Sequence, residues 1–202
     1  MRVVYFDLET GGLIPEKHAI TQMAAVVVDA DWNEVEEFEC KIKFKQELAD
    51  PEALIHNHFD ADVWERDGIS PFAAEKLFTA LLRRYLDLEN ISKKGRRYKS
   101  TQMAGHNVTR FDREFLGAWY KKLGNKYCPG DWRCLDTLEL AKWWFFLRDI
   151  RPENFQLGPL CDYFGITLTG DAHDALVDVR ASIELAKVLT RELTQMWREN
   201  HE

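Results

Sequence analysis

The sequence predicts one domain in which strands come first and amphipathic helices follow, and three observations carry that reading. An apolar run over 3–6 leads into Asp7, a continuous apolar run fills 23–28, and 37–44 alternates apolar with charged residues, which is strand patterning. Beyond residue 70 the apolar positions recur at spacings of three and four, the mark of helices with one buried face. A chain of 202 residues, 46% hydrophobic and 12% aromatic, is long enough for one sizeable core and short for two. The expected unit is a single domain over 1–202.

The first strand ends in Phe6-Asp7-Leu8-Glu9-Thr10-Gly11-Gly12-Leu13. The period of two puts Asp7 and Glu9 on one face, about 7 Å apart along the chain. Gly11 and Gly12 let the chain turn and let another molecule approach the backbone. Paired carboxylates beside such a loop suit a hard cation such as Mg²⁺; the alternative is a strand end running into a solvated turn. The run at 23–28 is that of a central strand covered on both faces. The turn residues of 29–33 then lead to 37–44, a strand with one wet face.

Further on, His56-Asn57-His58-Phe59-Asp60-Ala61-Asp62 reads as a polar loop or helix end, the alternative being a second metal site. Ser70-Pro71 opens a helix over about 71–88. Lys93-Lys94-Gly95-Arg96-Arg97-Tyr98-Lys99 is the one basic block in an acidic chain and its one plausible hinge. It is either a solvated loop or a flexible arm for phosphates, with Tyr98 free to stack on a base. A short strand over 101–105 delivers His106-Asn107-Val108-Thr109-Arg110-Phe111-Asp112 into a helix reaching about 122. Asp112 falls in its first turn, where the helix dipole favours a carboxylate, and can equally be a ligand aimed at the strand ends.

A strand candidate covers 132–135, Asp136-Thr137 caps a helix over 138–147, and 157–164 is a short helix closed by Gly165. Trp143-Trp144-Phe145-Phe146 reads as core, the alternative being a base-stacking platform. The last helix opens at Asp171-Ala172-His173-Asp174-Ala175-Leu176-Val177-Asp178. Asp174 suits its N-cap, and periodicity alone leaves Asp174 and Asp178 equal as ligands, since i and i+4 share a face.

Composition limits the function. Net charge is −7, which argues against general coating of nucleic acid and leaves room for a local cation-assisted site. Cys40, Cys128, Cys134 and Cys161 have irregular spacings and no C-x-x-C pair, which argues against a zinc ribbon and for reduced thiols. No signal core or membrane span is read. The expectation is a soluble, cytoplasmic protein with no membrane partner.

The stretches FDLETGGL, HNVTRFD and HDALVD closely resemble, in order and roughly in spacing, the three motifs of the DEDDh 3′-to-5′ exonucleases, the family of proofreading subunits, ribonuclease T and exonuclease I. The likeness runs over 3–189 and takes in DTLELAKW and LGPLCDYFGI. It implies an α/β, ribonuclease H-like fold: a five-stranded mixed sheet of order 3-2-1-4-5 flanked by helices. It makes Asp7, Glu9, Asp112 and Asp178 the catalytic metal ligands, leaving Asp174 as cap, and His173 the general base. Thr10, Gly11, Gly12, Leu13 and Asn107 become candidate contacts to the terminal nucleotide. The implied cofactor is Mg²⁺, two ions, with Mn²⁺ as substitute.

Physical chemistry agrees with that assignment. Two carboxylates ~4 Å apart repel by about 4 kcal/mol at an effective dielectric near 20, so four of them converge only around cations. Two ions ~3.5 to 4 Å apart clamp one phosphodiester, activating water and steadying the leaving oxygen. The implied partner is nucleic acid with a free 3′ end, single-stranded by preference, yielding nucleoside 5′-monophosphates. Rival readings are a non-cleaving 3′-end binder, against which the intact acidic set speaks, and a polymerase-bound proofreading subunit. The short tail after the last helix favours a free-standing nuclease, and Trp197 marks a homodimer contact or a packed edge. The basic block has no place in the family pattern.

Overall fold

β1 (Val3–Thr10) is the strand on which the remainder is laid. The structure is a computed structural model and describes residues 1–125, 127–167, 170 and 174–199. β1 pairs antiparallel along its length with β2 (Ile20–Val28), which pairs antiparallel with β3 (Glu34–Lys41). On its other side β1 pairs in parallel with β6 (Gln102–Gly105), which is followed by the two-residue β7 (Leu135–Asp136). Among the described residues these strands form one five-stranded sheet of order β3-β2-β1-β6-β7. That is the order the resemblance implies. Every residue of β2 is buried, as its unbroken apolar run requires of an inner strand.

Alternation along β1 divides the sheet's two faces. Val4, Phe6 and Leu8 join a core with Phe78, Leu81 and Leu82 of α3 (Pro71–Arg84) and Phe115, Leu116 and Trp119 of α4 (Asp112–Lys122). Tyr5 joins Ala24, Val26 and Ala104 under Ala175, Val179, Ile183 and Ala186 of α7 (Ala175–Glu199). A third cluster seats α5 (Thr137–Leu147) and α6 (Leu157–Tyr163) on Leu185 and Leu189 of α7. The sheet therefore lies between α3 and α4 on one face and α7 on the other.

Local signals explain the element starts. Ser70 Oγ accepts the Ala73 N–H at 3.2 Å ahead of Pro71, and Asp136 accepts the Leu138 N–H at 3.0 Å. Asp60, in the histidine-rich stretch, accepts from Asp62 and Val63 as the N-cap of α2 (Ala61–Asp67), which follows α1 (Pro51–His56). That stretch is thus a pair of helix ends, and among the described residues it gathers no metal-binding group.

Four expectations are corrected. The helix expected over 71–88 stops at Arg84, and Leu88 begins β4 (Leu88–Ile91). The basic block is part of a hairpin and only half a loop: Arg97, Tyr98 and Lys99 lie in β5 (Arg97–Ser100), which pairs antiparallel with β4, while Lys93, Lys94 and Gly95, the last at φ +74°, form the exposed turn. The strand at 132–135 shrinks to Leu135–Asp136. In the aromatic run Trp144 and Phe145 are buried, whereas Trp143 and Phe146 are exposed and pack edge to face at 5.8 Å. Helical spacing of three puts those two on the outer side of α5.

Candidate active site

The parallel ladder between β1 and β6 covers only Val3–Tyr5 against Gln102–Ala104, so β1 runs on beyond its neighbour. Asp7 and Glu9 stand on that overhang, on the α7 face with Tyr5. α7 begins above them and brings Asp178 in its first turn. Donor oxygens of Asp7, Glu9 and Asp178 all lie within 4.8 Å of one another, and no other group of three such residues forms among the described ones. Asp112, the first residue of α4, arrives from the opposite face. Its Oδ1 accepts the Leu8 N–H at 3.0 Å, an amide left without a strand partner where the ladder ends. Asp112 stands beside the three-residue set, and all four acids line one cavity of about 510 Å³.

Asp174 is the cap. Its Oδ1 accepts the Leu176 N–H at 3.0 Å and the Val177 N–H at 3.3 Å, so within the i, i+4 pair it is Asp178 that joins the acids. Both Asp112 and Asp178 occupy first turns, where the positive helix ends favour negative charge.

Electrostatics without a cation are unfavourable. Burial, then Asp112, Asp178 and Asp174, hold the Asp7 carboxyl well above the usual carboxylate range. Glu9, 7% exposed, is pushed up to about 9 by burial and by Asp7, Asp178 and Asp174. Asp112, 3% exposed, is raised to about 8 by burial against the lowering pull of its own and the Leu8 amide. A set of buried oxygen donors that hold protons near neutral pH is suited to a hard divalent cation, which takes carboxylate and water in preference to soft ligands.

The remaining expected contacts lie differently. Asn107 lines the cavity at φ +57°, a left-handed conformation asparagine tolerates. Its N–H and that of Thr109 donate to the two Asp136 oxygens at 2.9 and 3.0 Å. Asp136 thus ties the loop before α4 to the start of α5. Thr10, Gly11, Gly12 and Leu13 do not line the cavity. Thr10 Oγ1 donates to the Gly12 carbonyl at 2.8 Å, and the Gly11 N–H donates to Ala19 O at 2.8 Å. A Cβ on Gly11 would stand 2.7 Å from Ala49 Cβ, and Gly12 has φ +151° beside the His18 ring. The close approach these glycines allow is made by the chain itself, and Leu13 is exposed beyond them. His173 lies outside the described residues.

Sequence reasoning passed over His106, Lys142, Phe155 and Gln156, which also line the cavity. His106 bonds Thr137 Oγ1 through Nδ1 and the Phe155 carbonyl through Nε2, both at 2.9 Å. Both ring nitrogens are engaged, and burial lowers its pKa. It is a strut of the pocket wall. Lys142, bonded to Glu139 at 2.8 Å, could have been found from its place in DTLELAKW, one helical turn beyond Leu138.

The exonuclease family model RNase_T matches residues 96–186. That stretch holds Asn107, Asp112 and Asp178 and leaves out Asp7 and Glu9. Exonuclease DPD1, chloroplastic/mitochondrial, of Arabidopsis thaliana is 32% identical over 94 residues, 45% of this chain and 29% of that protein. E. coli exonuclease I in complex with a dT13 oligonucleotide superposes with a TM-score of 0.77 at 24% identity, over 98% of this chain and 43% of that one. The zinc ion bound form of its complex with single-stranded DNA gives 0.79 at 23% identity, over 98% and 42%. The chain therefore spans less than half the length of these relatives. It is similar to the RNase_T exonucleases in sequence over the matched stretch and to E. coli exonuclease I in fold over nearly its whole length.

Proposed function

We propose that the chain is a metal-dependent 3′-to-5′ exonuclease that hydrolyses the terminal phosphodiester of a DNA or RNA strand and releases nucleoside 5′-monophosphates. The observation that carries this reading is the convergence of Asp7, Glu9 and Asp178 within 4.8 Å, beside Asp112, at the end of β1. Asp7, Glu9, Asp178 and Asp112 would hold magnesium, two ions by family resemblance, or manganese. When bound, such ions supply the positive charge that makes a water nucleophilic and steadies the leaving 3′ oxygen.

The chain's own residues do the rest. His173 takes the proton from the attacking water, since an imidazole titrates near neutral pH. Lys142, on the cavity wall, is placed for a phosphate oxygen. Phe111, Leu138, Phe155 and Leu157 give that wall an apolar side for a base or sugar, while Asn107 and Gln156 offer amides. Single-stranded DNA as substrate is supported by the oligonucleotide complex of the E. coli structural neighbour. A cytoplasmic setting and a single domain over 1–202 belong to the same proposal, the former resting on four irregularly spaced cysteines.

The test is a 3′-labelled single strand incubated with Mg²⁺, with Mn²⁺ and with chelator. Release of labelled mononucleotide that needs metal and disappears in Asp7→Ala and in His173→Ala is the expected result. Binding without release would instead support an end-binding protein, and release that requires an added polymerase would support a proofreading subunit. Matched DNA and RNA oligomers in the same assay establish the preferred sugar.

A further inference from the structure

The basic block, which the proposed reaction does not use, stands in the structure as a built surface. Lys93, Lys94 and Arg96 crown the β4–β5 turn, and Arg97 and Lys99 share the outer face of the hairpin; all are exposed. In a chain of net charge −7 this concentrates positive charge at one place. Alternation sends Tyr98 and Ser100 the other way, into a groove of about 440 Å³ lined also by Arg113, Tyr127 and Trp132. Tyr98, Tyr127 and Trp132 are 37%, 55% and 64% exposed, three rings that folding leaves uncovered. The Arg133 guanidinium lies 5.6 Å from the centre of the Trp132 ring.

Hydrogen bonds tie the hairpin to the 131–133 segment. Asp131 Oδ2 accepts from Ser100 Oγ at 2.9 Å and from Asn90 Nδ2 at 3.0 Å, and Arg133 bridges Asp131 to the Asn90 side-chain oxygen. Successive residues of α4 line the two concavities, Asp112 the acidic cavity and Arg113 the groove. Arg113 donates to the Trp132 carbonyl at 3.3 Å while its buried Nε has no hydrogen-bond partner among the described residues. Cations on one side, aromatic faces on the other and an acidic end pocket fit a strand whose phosphates and bases are both available, which is a single strand and not a duplex.

We propose that the hairpin and its groove hold the substrate strand on the 5′ side of the nucleotide being removed, phosphates on the turn cations Lys93, Lys94 and Arg96 and bases against Tyr98, Tyr127 and Trp132. The identity of the ligand rests on the exonuclease reading; the surface itself does not. Binding is therefore measured in chelator, where cleavage is absent, by anisotropy of labelled oligothymidylates of about twelve and about four nucleotides. For Lys93→Ala/Lys94→Ala/Arg96→Ala, affinity for the longer strand falls about tenfold and the salt slope flattens by about 2, near 0.7 per lost phosphate contact. For Trp132→Ala the loss is roughly tenfold with the slope kept, as for a lost stack. In both variants the advantage of the longer over the shorter strand shrinks.

Unchanged affinity and slope in the triple variant would overturn the proposal, as would a duplex competing as well as a single strand. Hairpin-dependent binding by a chain that releases no nucleotide in Mg²⁺ would uphold it while sinking the nuclease reading. Metal-dependent release with hairpin-independent affinity would do the reverse.

Discussion

The Asp112 carboxylate accepts the Leu8 backbone N–H at 3.0 Å, spanning from the first turn of α4 to the overhang of β1. One side chain thus closes the sheet and supplies charge to the acidic cavity, and the two roles can be separated. Asp112→Asn keeps an acceptor oxygen and removes the charge, so it should fold with undiminished thermal stability and lose activity by about a hundredfold or more. Asp112→Ala also orphans a buried amide and should cost about 1–3 kcal/mol in urea unfolding. Equal stability of the two variants would remove the structural half of this account.

Stability of the metal-free protein should depend on pH in a direction set by the same acids. Glu9 and Asp112 titrate at about 9 and about 8 in the fold, against 4.5 and 3.8 ordinarily. Between those limits the folded state holds more protons than the unfolded one, so stability falls as pH rises. The melting temperature in chelator should drop between about pH 5 and pH 8. Added Mg²⁺ should raise it more at the higher pH, because cations compete with protons for the same oxygens.

The hairpin anchor offers a third prediction. Arg133, with Ser100, holds the Asp131 carboxyl down to about 2 from 3.8. Its contribution is complete above the ordinary value and lost as pH falls through about 2. Asp131→Ala leaves the buried Ser100 hydroxyl without its acceptor and Asn90 Nδ2 with Ser100 Oγ alone at 2.7 Å, and should cost on the order of 1–3 kcal/mol. Trypsin should then cut faster within 93–99.

At the turn after β1, Gly11→Ala should destabilise the fold by about 1–3 kcal/mol, because its Cβ would press on Ala49 and the Leu48 carbonyl, each at 2.7 Å. Unfolding in urea measures it. An unchanged midpoint would mean that the 46–50 segment yields.

The legibility of the sequence varied with the physical signal. β1 and its two acids were readable because a period of two needs only the residues themselves, and α7 because its apolar stripe is long. Asp174 and Asp178 were not separable by periodicity; the cap bonds to Leu176 and Val177 are a property of the folded helix start. The β4–β5 hairpin was unreadable for another reason. Arg97, Tyr98 and Lys99 are all exposed, so β5 has no hydrophobic alternation, and its order comes from Asn90 and Asp131, 41 residues apart. Trp143 and Phe146 misled by composition, since four consecutive aromatics on one helix cannot all face inward.

Direct titration with Mn²⁺, followed by electron paramagnetic resonance of the free ion near neutral pH, tests the central claim that Asp7, Glu9 and Asp178 form a cation site. The wild-type chain should remove Mn²⁺ from solution, and Asp7→Asn and Asp178→Asn should each weaken that binding at least tenfold while remaining folded. Binding equally tight in both variants, or absent from the wild type, would contradict it.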